Sequence, residues 1–172
     1  MTSTGIREAI GALVNEGRDL SQEEAASAMS DVFSGEATPA QLSAFLIALR
    51  LKGETVDEIA GMARIMRQHA LRVDGEGPLL DTCGTGGDGR GTFNVSTAAA
   101  FVAAGAGVRV AKHGNRAMTS GCGSADVLEA LGAKIDLGPD EVAECIRQTG
   151  FGIMFAQVFH PAMKYAAATR RE

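Results

Sequence analysis

The chain has 172 residues, of which 45% are hydrophobic and 22% charged, and its formal net charge is −5. This composition excludes a disordered chain, and no apolar run reaches the ~18 residues that a membrane-spanning helix needs. The acidic total disfavours a nucleic-acid-binding protein. The three cysteines lack the spacing of a metal site, so we expect a reduced, cytoplasmic protein without disulfides. The first residues carry no basic flank before an apolar stretch, which predicts the absence of a signal peptide.

The charges are unevenly distributed. Residues 89–125 contain no Asp or Glu, although Arg90, Arg109, Lys112 and Arg116 all fall among them. In an acidic protein, such a stretch indicates a place kept clear for an anionic ligand. The alternative is a solvated face that lacks acids by chance.

The first part of the chain predicts helices. Apolar residues recur at helical spacing over 6–16, and three later helix starts carry capping boxes, in which a hydroxyl residue is followed three positions on by Glu or Gln. These pairs are Ser21 with Glu24, Thr38 with Gln41, and Thr55 with Glu58. Apolar stripes behind the caps predict a small helical bundle domain over residues 1–72.

From residue 73 onward, short apolar runs alternate with helical patterns, which predicts parallel strands in an α/β domain over 73–172. The predicted segments are a strand at 78–82, a helix at 96–104, a strand at 108–111, a helix at 124–131 capped by Ser124, a short strand at 134–136, a helix at 139–149, a strand at 151–156 and a helix at 160–171. Ligands of open parallel sheets bind beyond the carboxyl ends of the strands.

A glycine-rich loop joins the first predicted strand to the next helix. Five of the eight residues 84–91 are glycine, and Asn94, Ser96 and Thr97 follow as polar side chains at the helix start. Backbone N–H groups and the helix dipole make such a loop an anion site. The spacing fits neither a P-loop nor a dinucleotide-binding fingerprint. The alternative is a flexible surface loop.

A basic loop follows the second predicted strand. Lys112 and Arg116 are the two standard phosphate-binding cations, and Thr119, Ser120 and Ser124 add hydroxyl groups. Two anion-binding loops on neighbouring strand ends predict a ligand with two separated phosphate groups. The alternative is again a solvated loop.

Five short motifs stand out along the chain: GTGGD at 84–88, NVST at 94–97, KHGNR at 112–116, GSADVLEALG at 123–132 and HPAMK at 160–164. Together they resemble anthranilate phosphoribosyltransferases, enzymes of tryptophan biosynthesis. The resemblance covers essentially the whole chain, including a small helical domain. It implies a glycosyltransferase that moves phosphoribosyl from 5-phosphoribosyl-1-pyrophosphate (PRPP) to the amine of anthranilate, with Mg²⁺ as cofactor and pyrophosphate as product.

The resemblance also assigns site residues. Its PRPP-binding positions correspond to Gly84, Gly87, Asp88, Thr92, Asn94, Val95, Ser96, Thr97, Lys112, His113, Gly114, Asn115, Arg116, Ala117, Met118, Thr119, Ser120 and Ser124. Its anthranilate-binding positions correspond to Gly84, Asn115 and Arg170, and Ser96 matches a magnesium ligand. No catalytic acid, base or nucleophile is assigned, and nothing in the sequence predicts an activated thiol at Cys83. The resemblance further implies a homodimer formed through the helical domain.

The family sequence continues well beyond residue 172, so the resemblance implies a partial α/β domain and an acidic pair of metal ligands outside this chain. Activity of the short form is therefore not expected from the sequence. Two alternatives stay open: a pyrimidine nucleoside phosphorylase-like enzyme, and a noncatalytic relative that binds a phosphate ligand or nucleic acid. Turnover of thymidine with phosphate would identify the first, and salt-dependent binding of single-stranded DNA the second.

Overall fold

A computed structural model of the protein describes residues 5–84, 92–117 and 121–171. Its elements are, in chain order, α1 (Ile6–Gly11), a π-helical turn (Ala12–Glu16), α2 (Gln22–Ser34), α3 (Pro39–Lys52), α4 (Val56–His69), α5 (Val95–Gly105), β1 (Val110–Gly114), α6 (Ser124–Ala130), α7 (Pro139–Thr149), β2 (Phe151–Phe155), α8 (Ala156–Phe159) and two 3₁₀-helical turns (Pro161–Ala166 and Thr169–Arg171). The predicted fold class, a helical bundle followed by a partial parallel α/β domain, is confirmed.

The chain divides into two compact units. One comprises Met1–Ala70 with His160–Glu172, and the other comprises Leu71–Phe159. The last segment of the chain therefore packs with the helices, since Ala162 and Ala166 are buried in the core of the first unit. The domain boundary predicted after residue 72 stays a prediction.

The helices of the first unit begin where the capping boxes predict. In α2, the Ser21 hydroxyl accepts a hydrogen bond from the Glu24 N–H (3.2 Å), and the Glu24 carboxylate accepts one from the Ser21 N–H (2.8 Å). The same reciprocal pairs begin α3 and α4. Behind the caps, apolar side chains form one core, with Phe45 fully buried at its centre.

Helices α2 and α4 approach each other closely at Gly61. A Cβ atom at this position would lie only 2.2 Å from the carbonyl oxygen of Gln22 and 3.1 Å from the amide nitrogen of Ala26. Both atoms belong to the backbone, which cannot move aside as a flexible side chain would. The absence of a side chain at Gly61 is therefore what permits this helix pair.

A buried carboxylate anchors the start of α4. The fully buried Glu58 accepts hydrogen bonds from the N–H of Leu20 (2.9 Å) and of Thr55 (2.8 Å), and from the Lys52 ammonium (3.0 Å). Burial by itself would raise the pKa of Glu58, but these three donors outweigh it and hold the pKa below its usual value. The ionised Glu58 carboxylate thus links the segment before α2, at Leu20, to the start of α4, at Thr55.

The second unit is built on two parallel strands. β1 and β2 pair in register from Val110 opposite Phe151 to Gly114 opposite Phe155. α7 packs on β2 so closely that a Cβ atom at Gly152 would lie 2.7 Å from the Ile146 side chain. Parallel pairing places the carboxyl ends of both strands at the same edge of the sheet.

Five features predicted from the sequence differ from the structure. The predicted strand at 78–82 pairs with β1 only through Leu80. Residues 134–136 form no strand, because their alternating pattern reflects a single buried side chain, Ile135, between two exposed neighbours. The first helix changes from α to π winding at Ala12, and residues 160–171 form 3₁₀ turns. Ser124 is the first residue of α6 rather than its cap, which is Gly123.

Within the described residues, no helix has the length and apolar character to cross a membrane.

Candidate phosphate-binding site

Asn94 links the two predicted anion-binding loops. Its side-chain oxygen accepts a hydrogen bond from the Thr97 N–H (2.9 Å) and thereby caps α5. Its side-chain nitrogen lies 3.4 Å from both the Cys122 carbonyl oxygen and the Ser124 hydroxyl, at the start of α6. The amino-terminal ends of α5 and α6 are therefore adjacent, as two loops that bind one ligand require.

Two glycines permit this close packing. A Cβ atom at Gly114, the last residue of β1, would lie 2.8 Å from the Cβ of Ser124. At Gly123, a Cβ atom would lie 2.4 Å from the amide nitrogen of Ala117 and 2.5 Å from the carbonyl oxygen of Asn115. The basic loop folds back on itself only because these positions carry no side chain.

Lys112 lies inside the fold, in the middle of β1. Its side chain is fully buried, and its ammonium has one hydrogen-bond acceptor among the described residues, the carbonyl oxygen of His113 at 3.3 Å. Burial lowers the pKa of Lys112, while the nearby Asp81 and Cys83 oppose that shift. The sequence predicts a phosphate-binding cation here, and the structure shows that its side chain is buried.

Asp81 and Cys83 stand next to Lys112. One Asp81 carboxylate oxygen accepts hydrogen bonds from the N–H of Cys83 (2.9 Å) and of His113 (3.3 Å). Burial raises the pKa of the Cys83 thiol, and the Asp81 carboxylate raises it further. The expectation that Cys83 is not an activated thiol stays a prediction.

Arg116 is engaged by carboxylates in the structure. Its guanidinium donates to Glu129 (2.7 and 3.1 Å) and to Asp126 (3.2 Å), and it lies 5.8 Å from the ring centroid of Phe155. The hydrogen bond to Glu129, followed by that to Asp126, raises the pKa of Arg116. A phosphate that binds Arg116 would have to share it with these two acids or displace them.

Asp126 is a residue of this site that the sequence reasoning missed. Besides Arg116, its carboxylate accepts hydrogen bonds from the N–H of Ala117 (2.8 Å) and of Gly123 (2.9 Å). It therefore closes the loop between β1 and α6 at both ends. The signal in the sequence is an acid at the third position of α6, where a capping carboxylate is expected.

The start of α5 presents hydroxyl groups. The Ser96 hydroxyl donates to the Asn94 side-chain oxygen (3.1 Å), and the Thr82 hydroxyl donates to the Ser96 carbonyl oxygen (2.7 Å). The Thr97 hydroxyl is buried without a hydrogen-bond partner in the described part of the chain. Hydroxyl and carboxylate oxygens are the donors that Mg²⁺ prefers, and Mg²⁺ in such sites takes further oxygens from substrate phosphates and water. Ser96 thus suits a magnesium ligand but supplies only one oxygen.

The remaining predicted residues are distributed as follows. Gly84 and Thr92 flank the undescribed part of the glycine-rich loop in the sequence, and Val95 and Asn115 are exposed. Arg170 is exposed in the last 3₁₀ turn, which belongs to the other compact unit. Five predicted residues lie outside the described residues: Gly87, Asp88, Met118, Thr119 and Ser120.

Two family models match the chain. The model described as the glycosyl transferase family, helical bundle domain, matches residues 7–70, and the model described as the glycosyl transferase family, a/b domain, matches residues 76–172. Among curated proteins, the anthranilate phosphoribosyltransferase of Chloroflexus aurantiacus is 64% identical over 167 residues, covering 97% of this chain and 49% of the relative. That of Moorella thermoacetica is 64% identical over 157 residues, covering 91% and 46%.

Solved structures agree with these matches. The anthranilate phosphoribosyltransferase of Thermus thermophilus superposes with a TM-score of 0.85 at 49% identity, covering 99% of this chain and 50% of that one. The Saccharomyces cerevisiae enzyme in complex with PRPP and Mg superposes with a TM-score of 0.87 at 30% identity, covering 96% and 50%. The chain spans about half the length of the relatives it matches.

Proposed function

We propose that this chain, which belongs to the glycosyl transferase family, carries the PRPP-binding loops of an anthranilate phosphoribosyltransferase. The reaction is transfer of phosphoribosyl from PRPP to the amine of anthranilate, with release of pyrophosphate. Curated relatives that are 60–64% identical to 91–97% of the chain carry this name, which supports this reading over the nucleoside phosphorylase and the noncatalytic alternatives.

One observation carries the proposal: the fully buried Lys112 in β1, two residues before the carboxyl end of the strand at Gly114. A buried ammonium needs several acceptors, yet Lys112 has a single one within the described residues, at 3.3 Å. The Asn94 contacts bring the starts of α5 and α6 to the same strand edge. A phosphate or pyrophosphate group at this edge would supply further acceptors to Lys112 and would also meet the N–H groups of two helix starts.

The residues present fit magnesium in part, and Ser96 is the described residue that would hold it, together with phosphate oxygens of the substrate. The cofactor would neutralise negative charge on the departing pyrophosphate. In the proposal, Lys112 stabilises that same charge from a fixed position, which costs no reorganisation during the reaction. The aromatic amine needs no activating base, so no acid–base residue is invoked.

The acceptor substrate would be recognised through residues assigned by the family resemblance. The Arg170 guanidinium would pair with the anthranilate carboxylate, and Gly84 and Asn115 would contact the rest of the molecule. Asn115 is exposed, which suits contact with a ligand.

The proposal includes a homodimer formed through the helical unit and a cytoplasmic location. Several apolar side chains on this unit are exposed, with Leu51 83%, Val56 84% and Ile47 60% accessible. Exposed apolar surface of this kind is typical of protein interfaces. Three free cysteines, two of them exposed, suit a reducing compartment.

The test is a transfer assay on the full natural protein, in which the fluorescence of anthranilate is followed after PRPP and Mg²⁺ are added. We expect anthranilate to be consumed only when PRPP is present, and pyrophosphate to appear in equal amount. Phosphorolysis of thymidine without consumption of anthranilate would contradict the proposal and favour the phosphorylase alternative.

A further inference from the structure

Three side chains of types that can ligate a metal converge at β1. The ligand atoms of Asp81, Cys83 and His113 all lie within 4.8 Å of one another. Asp81 and Cys83 are exposed and His113 is half-buried, so a solvated ion can reach the group. The sequence does not reveal this cluster, because His113 is far from the other two along the chain.

Pairing of the backbone brings the three residues together. The Leu80 N–H donates to the Arg109 carbonyl oxygen (2.9 Å), and the Ala111 N–H donates to the Leu80 carbonyl oxygen (3.0 Å). This bridge places the residues after Leu80 alongside β1. The cluster is therefore fixed by main-chain pairing and not by side-chain contacts alone.

The carboxylate of the cluster is also oriented. One Asp81 oxygen accepts the N–H groups of both Cys83 and His113, the two residues that supply the other ligand atoms. Hydrogen bonds of this kind hold a ligating carboxylate in a defined direction and increase the affinity of metal sites. Tetrahedral ligands at zinc bond lengths stand about 3.3–3.8 Å apart, so metal binding would draw these ligand atoms closer by at most about 1.5 Å.

We propose that Asp81, Cys83 and His113 form a binding site for Zn²⁺ or another thiophilic divalent metal. A set of one sulfur, one nitrogen and one oxygen selects Zn²⁺ or Co²⁺ over Mg²⁺, which prefers oxygen ligands and octahedral geometry. The site thus differs in its ligand chemistry from the magnesium position proposed at Ser96. The proposal of this site does not depend on the proposed function. Three protein ligands leave a fourth position for water or for a substrate oxygen.

The charges of the site balance on metal binding. The Cys83 thiol releases its proton to solvent and binds as thiolate, while His113 binds as a neutral imidazole. Asp81 and the Cys83 thiolate then oppose the two charges of the metal, and the buried Lys112 ammonium leaves one positive charge nearby. That positive charge favours an anion in the fourth position.

Titration of the 172-residue chain with Co²⁺ tests the site, because thiolate ligation gives a charge-transfer band in the near ultraviolet. We expect one Co²⁺ per chain, displacement by Zn²⁺, and no displacement by excess Mg²⁺. Cys83→Ser should remove the band, and His113→Ala should weaken Co²⁺ binding about tenfold or more. Circular dichroism establishes that each variant is folded.

The other two cysteines provide matched controls. Cys122→Ser and Cys145→Ser remove thiols outside the cluster, so both variants should keep the band. The proposal is overturned if the wild-type chain shows no band at millimolar Co²⁺, or if a folded Cys83→Ser variant retains it. Failure here leaves the proposed transferase function untouched, since that function depends on binding of PRPP and not on this metal.

Discussion

Glu58 and Lys112 are both fully buried charged residues, but their surroundings differ. Glu58 receives three charge-compensating hydrogen bonds, and its pKa is lowered despite its burial. Lys112 has a single acceptor in the described chain, and burial lowers its pKa. A fully compensated buried charge stabilises the fold, whereas an undercompensated one is typical of a binding site.

Replacing Glu58 with Gln should destabilise the helical unit. The amide keeps the shape of the side chain but leaves Lys52 without its buried anion, so we expect a loss of about 1–3 kcal/mol in the free energy of unfolding. Glu54→Gln, at an exposed position of the same segment, should change it by less than about 0.5 kcal/mol. Urea titrations of the three proteins provide the comparison, and equal midpoints would refute this role of Glu58.

The same carboxylate predicts a pH dependence. Because the folded-state pKa of Glu58 is lower than the unfolded one, its contribution is fully present above the unfolded pKa of about 4.3. This contribution to stability is lost as the pH falls from the unfolded-state pKa through the folded-state pKa of Glu58. Wild-type stability should therefore decline more steeply than that of Glu58→Gln below about pH 4.3, and parallel pH profiles would contradict the assignment.

Asp126 should control the loop between β1 and α6. Its carboxylate accepts the N–H groups of Ala117 and Gly123, whereas Glu129 contacts only the Arg116 side chain among the described residues. We expect Asp126→Asn to accelerate hydrogen exchange at the Ala117 and Gly123 amides. Glu129→Gln serves as the control and should leave exchange at both amides unchanged. Equal exchange rates in all three proteins would show that Asp126 does not hold the loop.

At the scale of elements, the helix starts that carry capping boxes were predictable from the sequence, whereas the strands predicted at 78–82 and 134–136 were wrong. A capping box specifies a helix start from four consecutive residues, so those at Ser21, Thr38 and Thr55 were predicted correctly. A strand needs a partner that no local pattern reveals, and the apolar run at 78–82 finds one only at Leu80. The carboxylate at Asp126 escaped prediction because its acceptor role depends on how the loop returns to α6.

Packing of α2 against α4 should depend on Gly61. Gly61→Ala would place a Cβ atom 2.2 Å from a backbone oxygen, so we expect a destabilisation of about 1–3 kcal/mol or more. Gly11, in right-handed helical conformation with no atom nearer than 4.0 Å to an added Cβ, offers a matched control. Gly11→Ala should instead stabilise by about 0.5–1 kcal/mol. Thermal unfolding distinguishes the two, and similar effects would refute the close approach.

At the scale of the whole molecule, the chain comprises a helical unit and a unit with two parallel strands, and the proposed phosphate site belongs to the second. Because the chain spans about half the length of the relatives it matches, transfer activity is a proposal. The proposed binding of phosphate groups can be tested on this chain alone, because Lys112, Asn94 and the starts of α5 and α6 all belong to it. The central claim can therefore be measured on the 172 residues themselves.

That measurement is calorimetric titration of the chain with pyrophosphate in the presence of Mg²⁺. We predict weak binding in the millimolar range, lowered at least about fivefold by Lys112→Met, a substitution that keeps the length and apolar stem of the side chain while removing its charge. Lys134→Met, at an exposed position of the same unit, is the matched control and should bind as the wild type does. Absence of binding at millimolar pyrophosphate, or equal affinity of the wild-type chain and a folded Lys112→Met variant, would contradict the account.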